Sequence, residues 1–224
     1  MTDRRLLLVR HGVTDWNREG RWQGWLDPPL SEDGRREAQL LAGRVASDPE
    51  LRPARILSST LDRARQTAEI IASALGLAVE PDTRLMEIGA GEWEGRTHSE
   101  LEATDGERYR AWRSQASDAR PPGGEALDRV VDRVQELLDQ VAAPQAEAVT
   151  MLVSHGGILR ALANVLLDLP GRWMWNLDVD NASVSAATLV GSGRWRLDHW
   201  NDTLHLLGVE RTHVDEAEGR PLAL

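Results

Sequence analysis

A chain of 224 residues with a formal net charge of −10 is sized for one α/β domain or two very small ones, and one domain is favoured. Its acidity argues against sequence-independent nucleic-acid binding, which needs cations spread over a broad face. Cysteine and lysine are both absent and all 26 basic residues are arginine, which excludes disulfides, thiolate nucleophiles, sulfur-ligated zinc, Schiff-base chemistry and a P-loop ending in Gly-Lys-Ser/Thr.

The first predicted element is the run Leu6-Leu7-Leu8-Val9, apolar enough for a strand buried on both faces of a parallel sheet, and it runs directly into Arg10-His11-Gly12. Ligands in open α/β sheets bind at the carboxyl edge of the strands, so this placement points to a site. The run is too short for a signal-peptide core or a membrane span, and the cytoplasm is the expected compartment. After a Gly/Trp/Pro-rich loop to Leu30, Ser31 reads as an N-cap with Glu32 and Asp33 in the first turn of a helix to about Ala46. A short strand over Ala54–Ser59 enters a second helix, Leu61 to Leu75, closed by Gly76.

A Gly- and Glu-rich loop spans Leu85 to Gly95, and a polar stretch with helical propensity reaches Ala116. Beyond Pro121-Pro122-Gly123-Gly124, apolar residues from Leu127 to Val141 recur at helical spacing. Val149–Val153 is the next buried strand; it ends on Ser154-His155, followed by Gly156-Gly157 and a helix from about Ile158 to Leu167. Two late strands, Val184–Val190 and Arg194–Trp200, join at Gly191-Ser192-Gly193. The charged, unpatterned residues after Leu207 read as a mobile tail, 208–224.

Two strand ends sharing one sheet edge bring His11 and His155 together, while the helix after Gly156-Gly157 aims its free N–H groups at the same point. The planar fork of arginine matches phosphate oxygens, which makes Arg10 and Arg63 natural clamps and a phosphoryl group the best-fitting ligand.

The blocks "LVRHGVTDWN", "SSTLDRARQTA", "LMEIGAGEWEG" and "LVSHGGILRAL", in that order, resemble the histidine phosphatase superfamily over roughly residues 4 to 200. This is the fold shared by cofactor-dependent phosphoglycerate mutases, so the resemblance implies a three-layer α/β/α sandwich with a central, mostly parallel sheet. It implies one catalytic domain over 1–207, with a lid over about 96–124. Carried over by position, His11 is the nucleophile that holds the phosphoryl group as phosphohistidine. Arg10, Arg63 and His155 neutralise the phosphoryl oxygens, and Glu87 protonates the leaving oxygen and then takes a proton from the attacking water. Asn17, Gln23, Gly24 and the amide of Gly156 are candidates for phosphate or substrate contacts. No metal and no cofactor are called for.

Other residues carry competing interpretations. Glu92 and Glu94 lie close to Glu87 in the same acidic loop, although Glu87 matches the family's acid. Arg65, two residues beyond Arg63, falls on another helix face and reads as solvated. Trp16, Trp22 and Trp25 flank the site and read as loop packing rather than as a platform for a ring substrate. His98, His199, His205 and His213 match no catalytic block and read as surface residues. Asp178-Val179-Asp180-Asn181-Ala182 superficially resembles the aspartate phosphatase loop, but no buried strand precedes it.

Mutases of this family grip the substrate's carboxylate with basic and tyrosyl residues right after the acid. This chain has Ile88-Gly89-Ala90-Gly91-Glu92-Trp93 there, with no cation, and the second histidine block reads Ser-His-Gly-Gly-Ile-Leu-Arg. Hydrolysis of a small phosphomonoester is therefore expected, with a phosphoglycerate mutase and a non-catalytic phosphate-binding protein as alternatives. Short phosphatases of the family act on glucosyl-3-phosphoglycerate, on α-ribazole 5′-phosphate, or on many small esters. The stretch Glu94 to His98 and the segment Tyr109 to Arg120 stand closest to the sugar-phosphoglycerate type. Neither a nucleic-acid nor a membrane partner is expected, and exposed tryptophans leave a homodimer open.

Overall fold

The computed structural model describes residues 4–114, 119–169, 176–191 and 193–208. Six strands, β1 (Arg4–Arg10), β2 (Arg55–Ser58), β3 (Val79–Pro81), β4 (Val149–Ser154), β5 (Val184–Val190) and β6 (Arg194–Asp202), form one sheet in the order β3-β2-β4-β1-β5-β6. The neighbours from β3 to β1 are parallel, and β5 and β6 add two antiparallel pairings. The sheet is thus mostly parallel, as expected.

The alternation along β1 explains the layers. Leu7 and Val9 pack with Leu41, Val45 and Ile71, which come from α2 (Glu32–Ser47) and α3 (Asp62–Leu75). Leu6 and Leu8 point the other way, toward Val134, Leu137, Ile158 and Leu162 of α5 (Leu127–Ala142) and α6 (Gly156–Leu166). All four β1 side chains are buried, and each contributes about 1.5–3 kcal/mol by leaving water. The remaining helices are the single turn α1 (Asp15–Arg18) and α4 (His98–Arg113), which is kinked at Asp105. No Phe is present, and on the α5/α6 side the aromatic core is Trp93, Tyr109 and Trp112, all buried.

The caps fall where sequence places them. Ser31 Oγ accepts the Gly34 amide at the start of α2, and Gly76 closes α3 with a left-handed φ of 67°. Three features differ from expectation. β3 is too short to be legible and ends on a proline, which an edge strand tolerates. The polar stretch forms α4, but its helix ends at Arg113, and Ala116 lies outside the described residues. α6 begins at Gly156 rather than near Ile158, so the two glycines form its first turn. Most of the expected tail, 209–224, lies outside the described residues.

Candidate active site

Register places the two histidines. β1 and β4 are parallel neighbours with Arg10 opposite Ser154, so the next residue of each strand, His11 and His155, emerges at the same edge. Their ring centroids are 5.1 Å apart and both are buried. The loop after β1 is then tied down on several sides: His11 N donates to Ser154 O (3.0 Å), Gly12 N to Thr67 Oγ1 (3.1 Å) and Val13 N to Glu37 Oε2 (2.8 Å). Only glycine fits at position 12, because a Cβ there would stand 2.4 Å from the carbonyl oxygen of Gly34.

His11 Nδ1 lies 2.7 Å from the carbonyl oxygen of Gly12. A carbonyl only accepts, so Nδ1 carries the proton and Nε2 keeps its lone pair. Burial, then the neighbouring Arg63 and Arg10, push the His11 pKa well below its ordinary value and hold the ring neutral. His155 is pushed down in the same direction, by burial first and then by Arg63. Its Nε2 is 2.8 Å from Ser59 Oγ, which already accepts the Leu61 amide. With the Ser59 hydroxyl proton donated to Nε2, the ring keeps its own proton on Nδ1, a buried atom that meets no partner among the described residues.

Two arginines stand beside the histidines. Arg10 donates to the carbonyl of Val179. Arg63, on the first turn of α3, donates to Leu26 O (2.9 Å) and Gly24 O (2.8 Å), lies 3.7 Å from Asp27 and leaves its buried Nε without an acceptor among the described residues. Burial lowers the Arg63 pKa to about 10, opposed chiefly by Glu87 and Asp27, so the guanidinium stays charged at neutral pH. A buried cation and an orphaned buried N–H beside a neutral imidazole make an anion-binding pocket.

Glu87 stands across the first turn of α6. Glu87 Oε2 accepts the Gly157 amide (3.1 Å) and Oε1 accepts the Ile88 amide (2.8 Å). A Cβ at position 157 would stand 2.5 Å from Glu87 Oε1, so this glycine makes room for the carboxylate. Asn17 is oriented by the α1 cap: its Oδ1 accepts from Thr14 N (3.1 Å) and Thr14 Oγ1 (3.0 Å), leaving Nδ2 as its remaining donor. Arg10, His11, Asn17, Gln23, Gly24, Arg63, Glu87 and Gly156 all line one cleft. His155 is not among the residues that line it and lies buried beside His11.

Neither alternative acid joins that wall. Glu94 instead ties two loops together, its Oε1 accepting Trp25 N (2.9 Å) and Ala90 N (3.0 Å). Arg65 is partly exposed and pairs with Asp62 and Glu69, away from the cleft wall.

The structure also brings in residues that sequence did not assign. His98 lines the cleft and hydrogen-bonds Tyr109 through Nδ1, while His199 and His205 are half-buried, so the surface interpretation of these three is corrected; His213 lies outside the described residues. Trp22 both packs against Trp93 and Tyr109 and lines the cleft, whereas Trp25 donates its Nε1–H to Glu87 O (2.8 Å). The Asp178–Ala182 segment supports the histidine instead of forming an aspartate loop: Asn181 Nδ2 and Ala182 N both donate to His11 O. Arg21, Arg113 and Arg160 line the outer cleft with Asp178, so the missing cation after Glu87 does not leave the cleft poor in cations.

A family profile described as the histidine phosphatase superfamily (branch 1) matches residues 6–203. The chain belongs to this superfamily. The glucosyl-3-phosphoglycerate phosphatase of Mycobacterium tuberculosis H37Rv is 39% identical over 217 residues, covering 90% of this chain and 96% of that protein. A solved structure of a mycobacterial glucosyl-3-phosphoglycerate phosphatase complexed with VO3 superposes with a TM-score of 0.79 at 38% identity, covering 88% of this chain and 99% of the other. A putative α-ribazole-5′-P phosphatase from Escherichia coli gives a TM-score of 0.80 at 31% identity over 89% and 97% of the two chains. This histidine phosphatase is accordingly an enzyme that hydrolyses phosphomonoesters.

Proposed function

We propose that His11 Nε2 is the nucleophile and that the physiological ester resembles glucosyl-3-phosphoglycerate, a phosphate carried close to a carboxylate and a sugar. The observation behind the first part is the His11–Gly12 hydrogen bond, which keeps Nε2 unprotonated in a buried, cation-flanked position. In the first step Nε2 attacks phosphorus, the P–N bond forms and the P–O ester bond breaks. Glu87 delivers a proton to the departing alcohol. Water then attacks phosphorus with Glu87 as base, the P–N bond breaks, and neutral His11 and orthophosphate result. Arg10 and Arg63, with the Nδ1–H of His155, offset the negative charge of the transferring group, which is where the barrier is mainly lowered.

The substrate class rests on the outer cleft and on the names of the relatives. Arg113 meets no carboxylate among the described residues; it stands 5.8 Å from the Tyr109 ring centre and faces the cleft with Arg160. These cations suit the carboxylate of a phosphoglyceryl group, while Trp22, Trp112 and Ile88 offer apolar surface to a sugar ring. We assign the lid role to 96–124, whose α4 supplies His98, Trp112 and Arg113, within one catalytic domain over 1–207, and we assign the enzyme to the cytoplasm. Phosphate release from glucosyl-3-phosphoglycerate, α-ribazole 5′-phosphate, 3-phosphoglycerate and 4-nitrophenyl phosphate, with His11→Ala as control, tests this assignment. The sugar ester should turn over fastest; conversion of 3-phosphoglycerate to its 2-isomer faster than any hydrolysis would contradict it.

A further inference from the structure

The loop that carries Glu87 has no regular secondary structure beyond two turns of 3-10 helix, Thr83–Leu85 and Gly91–Trp93, yet each of its backbone carbonyls from residue 84 to 87 is held from outside. Arg133, one residue off the buried stripe of Val130, Val134 and Leu137 on α5, reaches beneath it with a side chain only 16% exposed. Its Nη1 donates to Arg84 O (2.6 Å) and Met86 O (2.7 Å), and its Nη2 to Glu87 O (3.3 Å). Nε and Nη2 also grip the two oxygens of Glu125 at 2.9 and 2.8 Å. All five guanidinium donors are thereby used. The remaining carbonyl, Leu85 O, accepts from Ser154 Oγ (2.7 Å). Glu125 fastens the far side of the loop, exchanging hydrogen bonds with Gly89 through its own amide (2.8 Å) and its carboxylate (3.3 Å).

We propose that Arg133, held by Glu125, is a positioning residue that fixes the backbone of the acid loop and so sets Glu87 against the departing oxygen. The inference rests on Glu87 being the acid, as proposed above. A lysine cannot replace the fork, because one ammonium with three donors cannot span three carbonyls and a carboxylate. A guanidinium that merely stabilised the fold would affect every substrate alike when altered. One that places a proton donor affects substrates according to how much their leaving group needs the proton. An alkoxide needs it and 4-nitrophenolate does not.

The test is kcat/KM, which reports the steps through departure of the alcohol, for an alkyl phosphate and for 4-nitrophenyl phosphate. It is measured in wild type, Arg133→Lys, Glu125→Gln and Glu87→Gln, with thermal melts alongside. Misplacement of a catalytic group by about 1 Å costs on the order of a hundredfold, so Arg133→Lys should lose at least about tenfold more on the alkyl ester than on the aryl ester. Glu125→Gln, which preserves shape, should show a smaller loss with the same selectivity, and it decides the matter if Arg133→Lys does not fold. Selective loss in Glu87→Gln with none in the folded Arg133 or Glu125 variants would overturn the inference and leave the acid assignment standing. Equal losses on both esters in Glu87→Gln would overturn the acid assignment and, with it, the inference.

Discussion

The Nδ1–H of His11 donates to the carbonyl oxygen of its own neighbour Gly12 across 2.7 Å, and this short local bond leaves Nε2, the nitrogen proposed to attack phosphorus, with its lone pair. The bond is available because the chain turns sharply after β1, at a position where a side chain on Gly12 would strike the carbonyl of Gly34. Sheet register then supplies His155, and α3 supplies Arg63, so tautomer and charge follow from three separate elements meeting at one edge.

Burial of two neutral histidines makes stability depend on pH. The unfolded chain protonates both near the ordinary value of 6.5, whereas the folded site resists protonation, so the unfolded state binds more protons below that value. Stability should be full above 6.5 and fall as pH drops through it, with a slope approaching about 1.4 kcal/mol per pH unit for each histidine. Asp202, held down to about 2 chiefly by Arg44, adds a second loss between 3.8 and about 2. Urea melts from pH 7.5 to 5 check the first window; a midpoint that does not move would contradict it.

Gly157→Ala should leave a folded but poorly active enzyme. The atoms nearest the new Cβ belong to two side chains, Glu87 Oε1 at 2.5 Å and Ile88 Cδ1 and Cγ1 at 2.9 and 3.1 Å, and both side chains can move. Moving Glu87 away from the cleft should lower kcat by on the order of a hundredfold. Near-wild-type kcat with an unchanged melting temperature would show that the acid does not depend on this contact.

Arg113→Met should separate substrates by charge. A hydrogen bond to a charged group contributes about 1.5–3 kcal/mol, which is roughly a ten- to hundredfold rise in KM for esters that carry a carboxylate. An aryl phosphate such as 4-nitrophenyl phosphate has no second anion, and its KM should not change. Equal effects on both kinds of ester would remove Arg113 from substrate recognition.

Much of this site was legible because its signals are local. A strand ending on Arg10-His11-Gly12, a second ending on His155-Gly156-Gly157, and Arg63 in the first turn of a helix can each be read from a few neighbouring residues. Arg133, Arg113 and Arg160 gave no such signal, because arginines on the polar faces of helices read as solvated until the chain folds them over a loop or a cleft. His98 and Asn181 were missed for the same reason: one is recruited by Tyr109 and the other by the backbone of His11, partners 11 and 170 residues away. Gly157 was visible as part of a motif, but its purpose was not, since the carboxylate it accommodates arrives from 70 residues earlier.

The most direct measurement is to mix the enzyme with substrate labelled in its phosphoryl group, quench in alkali, where phosphohistidine survives, and map the label. Transient label is expected on His11 alone, and none in His11→Ala. Label on another residue, or full turnover in the variant, would contradict it.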